Sequence, residues 1–284
     1  MQVLVTGAAG RIGRMLQVAW STGDLANFEP IWCVRRASGP AHLQWDILSG
    51  IVPPIPKGAV ILHLAGVLRG DPCALADNTK MALKVCDAAK ATGVQHVFIA
   101  SSAAVYGRGS VDLTESHVPH PVSDYGRAKL VMERQVLRWS QNAGAFAPHI
   151  TCLRIGNIVG ADAIIGQEVA GRHINLDSIA GHSGGPMRSY IGPRALAYVL
   201  AQLMRSAAWG KAMPKILNIA TQRPVFMADL LTAAKLPFHF APSETSVIAK
   251  VCLSTARLAA LADLPSQSPD DLIADWRSLA ALTP

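Results

Sequence analysis

Aromatic side chains are scarce: six phenylalanines, six tryptophans and four tyrosines in 284 residues. With so few rings, a surface that stacks successive nucleic-acid bases is not expected. The net charge is +7, which alone would invite a polyanion. No run of five or six lysines and arginines occurs, however. The basicity reads as that of a protein handling small phosphorylated ligands, and no nucleic-acid partner is expected. No apolar run approaches the roughly 20 residues that cross a bilayer, so no membrane partner is expected either. The five cysteines, Cys33, Cys73, Cys86, Cys152 and Cys252, show no paired spacing. That excludes a disulfide frame and fits free thiols in a reducing, cytoplasmic compartment. Met1 to Val5 leads straight into a glycine turn with no charged n-region or cleavage site, so no signal peptide is expected. His117 and His120 lack a third ligand and read as loop residues, and no metal site is expected. Neither a Gly-x-Ser-x-Gly elbow nor a P-loop is present.

Half of the residues are hydrophobic, enough for one large α/β domain or a domain with a small lobe. Gln2–Val5 reads as a buried parallel strand, and Ile12, Met15, Leu16 and Ala19 have helical spacing. Further strands are expected at Pro30–Arg35, Ala59–Leu64, Val97–Ala100, Ile150–Ile155 and Lys215–Ile219. Helices are expected at Asp71–Thr92, opened by Asp71-Pro72 as cap and first residue, and at Val122–Gln141, Pro193–Arg205 and Met227–Ala234. The stretch from Gly160 to Met187 reads as loop-dominated, and the tail from Ser254 as two short amphipathic helices. Strands alternating with helices make a parallel sheet covered on both faces. The expected fold is therefore α/β, a Rossmann-type doubly wound sheet with a small C-terminal substrate lobe. Residues 1–160 form the dinucleotide-binding core and 161–284 the lobe, with about 193–220 returning to the core sheet.

Gly7-x-x-Gly10-x-x-Gly13 follows the first strand and opens a helix. Glycines there permit a tight turn and bring backbone N–H groups and a helix N-terminus against a pyrophosphate. An acid commonly ends the second strand where ribose hydroxyls are bound. This chain has Arg35 and Arg36 instead. Two guanidiniums suit a 2′-phosphate, so the expected cofactor is NADP, with NAD as the alternative if the arginines face solvent.

Tyr125 and Lys129 are four apart on a helix and share a face. A free phenol, with a pKa near 10, is a poor base at neutral pH, and a neighbouring ammonium is expected to lower it. Tyr125 could then exchange a proton with a substrate hydroxyl while hydride moves to or from a nicotinamide. Ser101-Ser102 ends a strand at the sheet edge where such folds bind ligands, and a hydroxyl there can hold the same substrate oxygen.

These segments together resemble the extended short-chain dehydrogenase/reductases, the NAD(P)-dependent sugar epimerase/dehydratase family. The resemblance runs through Thr6–Gly13, His63–Gly66, Asn78, Ser101–Gly107, Glu115, Pro121, Tyr125–Lys129, Arg154–Asn157, Arg188–Ile191 and Leu217–Ala220, covering roughly residues 1–235. It implies Ser102, Tyr125 and Lys129 as the catalytic set. It implies cofactor contacts at Gly7, Gly10, Arg11, Ile12, Gly13, Asp46, Ile47, Leu64, Ala65, Gly66, Asn78 and Ile155, besides Tyr125 and Lys129. Asn157 would face substrate alongside Ser102, and Arg188 would meet a substrate anion, commonly a nucleotide-sugar phosphate. Related proteins often pair through the helix that carries Tyr125, which implies a homodimer.

Departures narrow this. Ala103-Ala104 stands where family dehydratases carry acids, so dehydration is not expected. The stretch from Asn157 to Arg188 is shorter than full-size nucleotide-sugar enzymes use, which suggests a smaller substrate or an open site. The expected activity is NAD(P)-dependent oxidoreduction or epimerisation at a hydroxyl or ketone of a sugar or nucleotide-sugar. Its alternatives are net NADP-dependent reduction of a small non-nucleotide carbonyl compound and a non-catalytic NADP-binding redox sensor.

Overall fold

In a computed structural model, residues 1–23, 28–36, 42–108, 112–162, 164–166, 174–242 and 247–281 are described. From the N-terminus run β1 (Gln2–Thr6), α1 (Arg11–Thr22), β2 (Glu29–Val34), β3 (Leu43–Gln44), β4 (Val60–His63), α2 (Pro72–Thr92) and β5 (His96–Ser102). Then come α3 (Asp124–Asn142), β6 (His149–Ile155), β7 (Asn157–Ile158), β8 (Ile174–Ser178), β9 (Met187–Arg188), β10 (Tyr190–Ile191) and α4 (Pro193–Ala208). The last elements are β11 (Ile216–Ile219), β12 (Val225–Phe226), α5 (Met227–Ala234), β13 (Phe238–Pro242), β14 (Lys250–Val251), α6 (Ala256–Ala259) and α7 (Pro269–Ala280).

Seven strands pair in parallel in the order β11-β6-β5-β4-β1-β2-β3. Alternate residues of each strand point to opposite faces, and both faces are covered. Val3, Val5, Val60, Leu62, Phe98 and Leu153 pack with Leu16 of α1 and with Leu196, Val199 and Leu203 of α4. Leu4, Ile61, Val97, Ile99 and Cys152 pack on the other face with Val85 and Ala89 of α2 and with Met132 and Val136 of α3. This two-sided burial is why these strands are nearly all apolar, and it is the expected doubly wound fold. Strand order reverses between β1 and β4, so a crevice opens at the carboxyl ends of these strands.

Helix ends follow local chemistry. The Asp71 carboxylate accepts from the Ala74 N–H at 2.8 Å and Pro72 fills the first turn of α2. Ser123 caps α3 through the Gly126 N–H at 3.1 Å. The second strand stops at Val34, which leaves Arg35 and Arg36 exposed beyond its end.

The reading of 160–187 as loop needs correction. β8 pairs in parallel with β13, and β9 is flanked by β12 and β14. Most of these strands are two residues long. Their partners lie far along the chain, so no local periodicity marks them. Residues 163 and 167–173 of this stretch lie outside those described. A separate cluster of Val159, Ile165, Leu176, Tyr190, Leu230, Leu231 and Leu272 joins these strands to α5 and α7. Among the described residues, no helix is long and apolar enough to cross a membrane.

Among the bonds that tie the tail to the sheet domain, one carboxylate caps a helix. α4 has no cap of its own, its N-cap being Gly192. Asp275 of α7 supplies it, accepting from the N–H groups of Arg194 at 2.9 Å and Ala195 at 3.2 Å and from Gln267 Nε2 at 2.8 Å. Asp275→Ala is expected to lower the unfolding free energy by about 1–2 kcal/mol, the usual cost of a lost helix cap. Urea denaturation would measure it, and an unchanged midpoint would mean that the tail merely rests on α4.

Candidate active site

The crevice holds a cleft of about 900 Å³. Its floor is the turn between β1 and α1. Gly7 sits at φ +75°, and a Cβ there would come within 2.6 Å of the Ala65 backbone nitrogen. The turn is closed by the Gly10 N–H donating to the Gly7 carbonyl at 2.9 Å. α1 has Gly10 as its N-cap residue, with no side-chain cap and no acid in its first turn. Its first N–H groups and its positive end are therefore free to face an anion. This floor fits a dinucleotide pyrophosphate.

Of the residues singled out in the sequence, Gly7, Gly10, Arg11, Ile12, Gly13, Leu64, Gly66, Asn78, Ser102, Tyr125, Lys129, Ile155 and Asn157 line the cleft. Arg35, Arg36, Asp46, Ile47, Ala65 and Arg188 are not among its lining residues. Asp46 caps a short turn through the Leu48 N–H at 3.3 Å, and Ile47 is buried against the α2 face. Asn78 is fully engaged: its amide donates to the carbonyls of Val67 and Leu75, both at 2.9 Å, and its oxygen accepts from the Val67 N–H at 3.2 Å. It shapes the loop after β4. Arg188 also faces its own chain, donating to the carbonyls of Met187 (2.8 Å), Ala249 (3.2 Å) and Ile248 (2.6 Å).

Tyr125, Lys129 and Glu133 form one stripe of α3 at i, i+4, i+8. Gly126 lets that helix lie against the turn that follows Ser102, because a Cβ there would collide with the Ala104 carbonyl. This brings the Tyr125 hydroxyl to the Ser102 side chain. Lys129 Nζ donates to the Ala100 carbonyl at 2.8 Å and lies 5.9 Å from the centroid of the Tyr125 ring. Glu133, beneath, receives Ser101 Oγ at 2.5 Å and the guanidinium of Arg154, whose Nη2 lies at 2.8 Å.

The electrostatics differ from the sequence expectation. Burial holds the Tyr125 phenol above its ordinary pKa, opposed by the bond to Ser102, with no contribution from Lys129. Lys129 is the group that moves down: burial lowers it to about 8, against the pull of Cys152 and Glu133. The lysine donates to Ala100 and lies 5.9 Å from the centroid of the phenol ring, and the phenol is not lowered by it. His63, at the end of β4, is neutral. Burial, helped by Lys129, lowers it to about 3, and its Nδ1 lies 2.8 Å from Thr6 Oγ1.

Three residues at or beneath the site escaped the sequence reading. Glu133 could have been found by extending the Tyr125–Lys129 spacing one more turn. Asp162 lines the cleft with its carboxyl pushed up to about 6 by burial, although Ile165 and Ile164 N–H groups bind it. Arg69 lines it from the loop after β4. Neither of these two carries a local signal. Among the described residues, no group of three or more histidines, cysteines or acids could hold a metal ion.

The model of the NAD dependent epimerase/dehydratase family matches residues 3–190. The chain belongs to that family. It is 29% identical over 181 residues to a UDP-glucose 4-epimerase of Corynebacterium glutamicum, covering 59% of this chain and 54% of the relative. It is 32% identical over 180 residues to that of Rhizobium leguminosarum bv. trifolii, covering 56% and 53%. The chain thus spans about half the length of the curated relatives it matches. Among solved structures, UDP-glucose 4-epimerase from Brucella ovis in complex with NAD superposes with a TM-score of 0.77, at 18% identity and over 96% of both chains. At that identity the likeness is one of fold.

The charge of Lys129 in the cleft is visible in stability. The folded chain holds this group near 8, against an ordinary 10.5. Below about pH 8 both states carry the proton and the burial penalty is felt in full. Between the two values the unfolded chain binds the extra proton, so stability rises with pH. In dinucleotide-free protein, wild type should gain about 3 kcal/mol relative to Lys129→Met across that window, at about 1.4 kcal/mol per unit. Urea denaturation at several pH values checks this. A pH-independent difference would show that the ammonium titrates normally.

Proposed function

We propose that the chain is an NAD(P)-dependent oxidoreductase or epimerase acting on a hydroxyl or ketone of a sugar or sugar-like molecule. What supports this most is the meeting of Ser102, Tyr125 and Lys129 on the wall of a cleft whose floor is the uncapped start of α1. Residues 1–160 serve as the dinucleotide-binding part and 161–284 as the substrate lobe, with α4 and β11 returning to the core.

When bound, the dinucleotide supplies a nicotinamide carbon that accepts or returns a hydride. Gly7 and Gly10 would let its pyrophosphate approach the turn closely, Ile12 and Gly13 would offer backbone N–H groups, and Arg11 would add a cation beside them. Leu64, Gly66 and Ile155 would pack along it, and Ala65, Asp46 and Ile47, outside the cleft lining, are proposed at its margin. Tyr125, a phenol kept protonated by burial, donates its proton to a substrate carbonyl oxygen as that carbon gains hydride. Ser102 bonds the same oxygen. In the opposite direction the Tyr125 phenolate left by that donation takes the hydroxyl proton back, with the Lys129 cation 5.9 Å from the ring centroid as counter-charge. Asn157 faces the substrate. An epimerase runs both directions on one bound molecule and keeps its cofactor, whereas a reductase stops after one.

Net NADP-dependent reduction is the second reading. Arg35 and Arg36 favour it, both exposed at the carboxyl end of β2 where a 2′-phosphate would lie. A redox sensor without catalysis is disfavoured by the Tyr125–Lys129 pair in the cleft.

Tyr125→Phe should lower turnover at least 100-fold, within the range of general acid–base contributions, while leaving dinucleotide affinity unchanged. Near-normal turnover would refute the mechanism. Replacing Arg35 and Arg36 with serine should weaken NADPH binding by about 10–100-fold, as expected for lost charge-assisted bonds, and leave NADH binding alone. Fluorescence titration reads both, and equal affinities for NADPH and NADH in the unaltered protein would sink the NADP preference.

A further inference from the structure

The cleft whose floor suits a pyrophosphate also holds an acid. Asp162 and Arg11 both line it, and Arg11 is the first residue of α1. A bound pyrophosphate would share one cleft with this carboxyl group, and like charges repel more strongly where water is excluded.

Asp162 is built into the wall. Its Oδ1 accepts from the N–H groups of Ile165 at 2.8 Å and Ile164 at 3.2 Å. Its Oδ2 is buried and, among the described residues, has no hydrogen-bond partner. An ionised carboxylate in this position leaves one oxygen without a donor, which is costly in a buried site. Tyr190 pairs with Asn157 across β7 and β10, and its phenol oxygen is likewise buried without a partner among the described residues. The charged or titratable groups that face the carboxyl, among the described residues, are Tyr190 on β10 and Arg11 on α1. Burial pushes the carboxyl up to about 6, and the two N–H groups, Tyr190 and Arg11 pull it back. Asp162 thus changes charge in a range where a pyrophosphate keeps its own. Lys129, held near 8, stays largely protonated through that range.

We infer that Asp162 gates the dinucleotide site through its proton: the carboxylate opposes the pyrophosphate and competes with it for Arg11, and binding of the dinucleotide draws a proton onto the carboxyl. This rests on the dinucleotide-binding part of the reading above and adds a regulating residue to it.

The sign follows from linkage. An anion brought into the cleft disfavours the carboxylate and raises its pKa further. Proton and dinucleotide therefore strengthen each other's binding by the same factor. Affinity is greatest with the carboxyl neutral and falls as pH rises through about 6. A further rise of one unit on binding corresponds to a loss of about tenfold across the window.

The test is calorimetric titration of NAD and NADP into the full chain at pH values spanning about 5.5 to 7.5. Each titration is run in two buffers of different ionisation enthalpy, so that proton uptake is read directly. Asp162→Asn is run beside it. Asparagine keeps an oxygen for the Ile164 and Ile165 N–H groups, and the comparison cancels the titration of the NADP 2′-phosphate and of every other group. Wild type is expected to take up protons with NAD between about pH 6 and 7 and to lose about tenfold in affinity across the range. Asp162→Asn is expected to lose that uptake and most of the pH dependence. Wild type that binds with no uptake overturns the inference, and this arm needs no variant. So does Asp162→Asn that keeps both the uptake and the pH dependence. Failure of the hydride-transfer reading has other signatures. Tyr125→Phe turning over normally would remove the mechanism and leave the Asp162 linkage standing, whereas a chain that binds neither NAD nor NADP at any pH would remove both.

Discussion

A carboxylate and a guanidinium buried under α3 set the register of the whole site. Glu133 and Arg154 expose only 2% and 3% of their side chains, and the fork of Arg154 spans both oxygens of Glu133 at 2.8–3.2 Å. Ser101 of β5 bonds the same carboxylate. The guanidinium lies 4.7 Å from the Tyr106 ring centroid, and the Tyr106 hydroxyl donates to Asn218 of β11 at 2.8 Å. Four elements, α3, β5, β6 and β11, thus share one polar seam. Burying two charges costs several kcal/mol each before their attraction offsets it, so the gain lies less in stability than in position. α3 cannot slide by a turn without stranding a charge, and Tyr125 and Lys129 ride on that helix.

The same burial explains the division of charge above the seam. A phenol that stays neutral and a lysine held near 8 are both products of a cleft wall dried by close packing. The cation is kept within reach but does not pre-ionise the phenol.

Much of this was legible in the sequence, for local reasons. The glycine turn, the Asp71-Pro72 helix start and the Tyr125–Lys129 spacing depend on residues within a few positions of each other, and α5 falls at its expected bounds. The buried strands announce themselves because both faces are apolar. What was hidden depends on distant partners. The two-residue strands β9, β12 and β14 have no period of their own. The fate of Arg188 is set by carbonyls about 60 residues later. The direction of the Tyr125 shift turns on a burial that spacing does not report. Glu133 was within reach of the helical repeat, but its meaning needed Arg154 across the sheet.

The cap that Asp275 places on α4 acts 81 residues back along the chain, which sets an order on synthesis. As the polypeptide leaves the ribosome, β1 to β6 can pair and bury one face against α2 and α3. The opposite face needs α4, and α4 has bare N–H groups at its start until α7 emerges. One face of the sheet can therefore be covered before α7 has been made, whereas α4 on the other face gains its cap only once α7 docks.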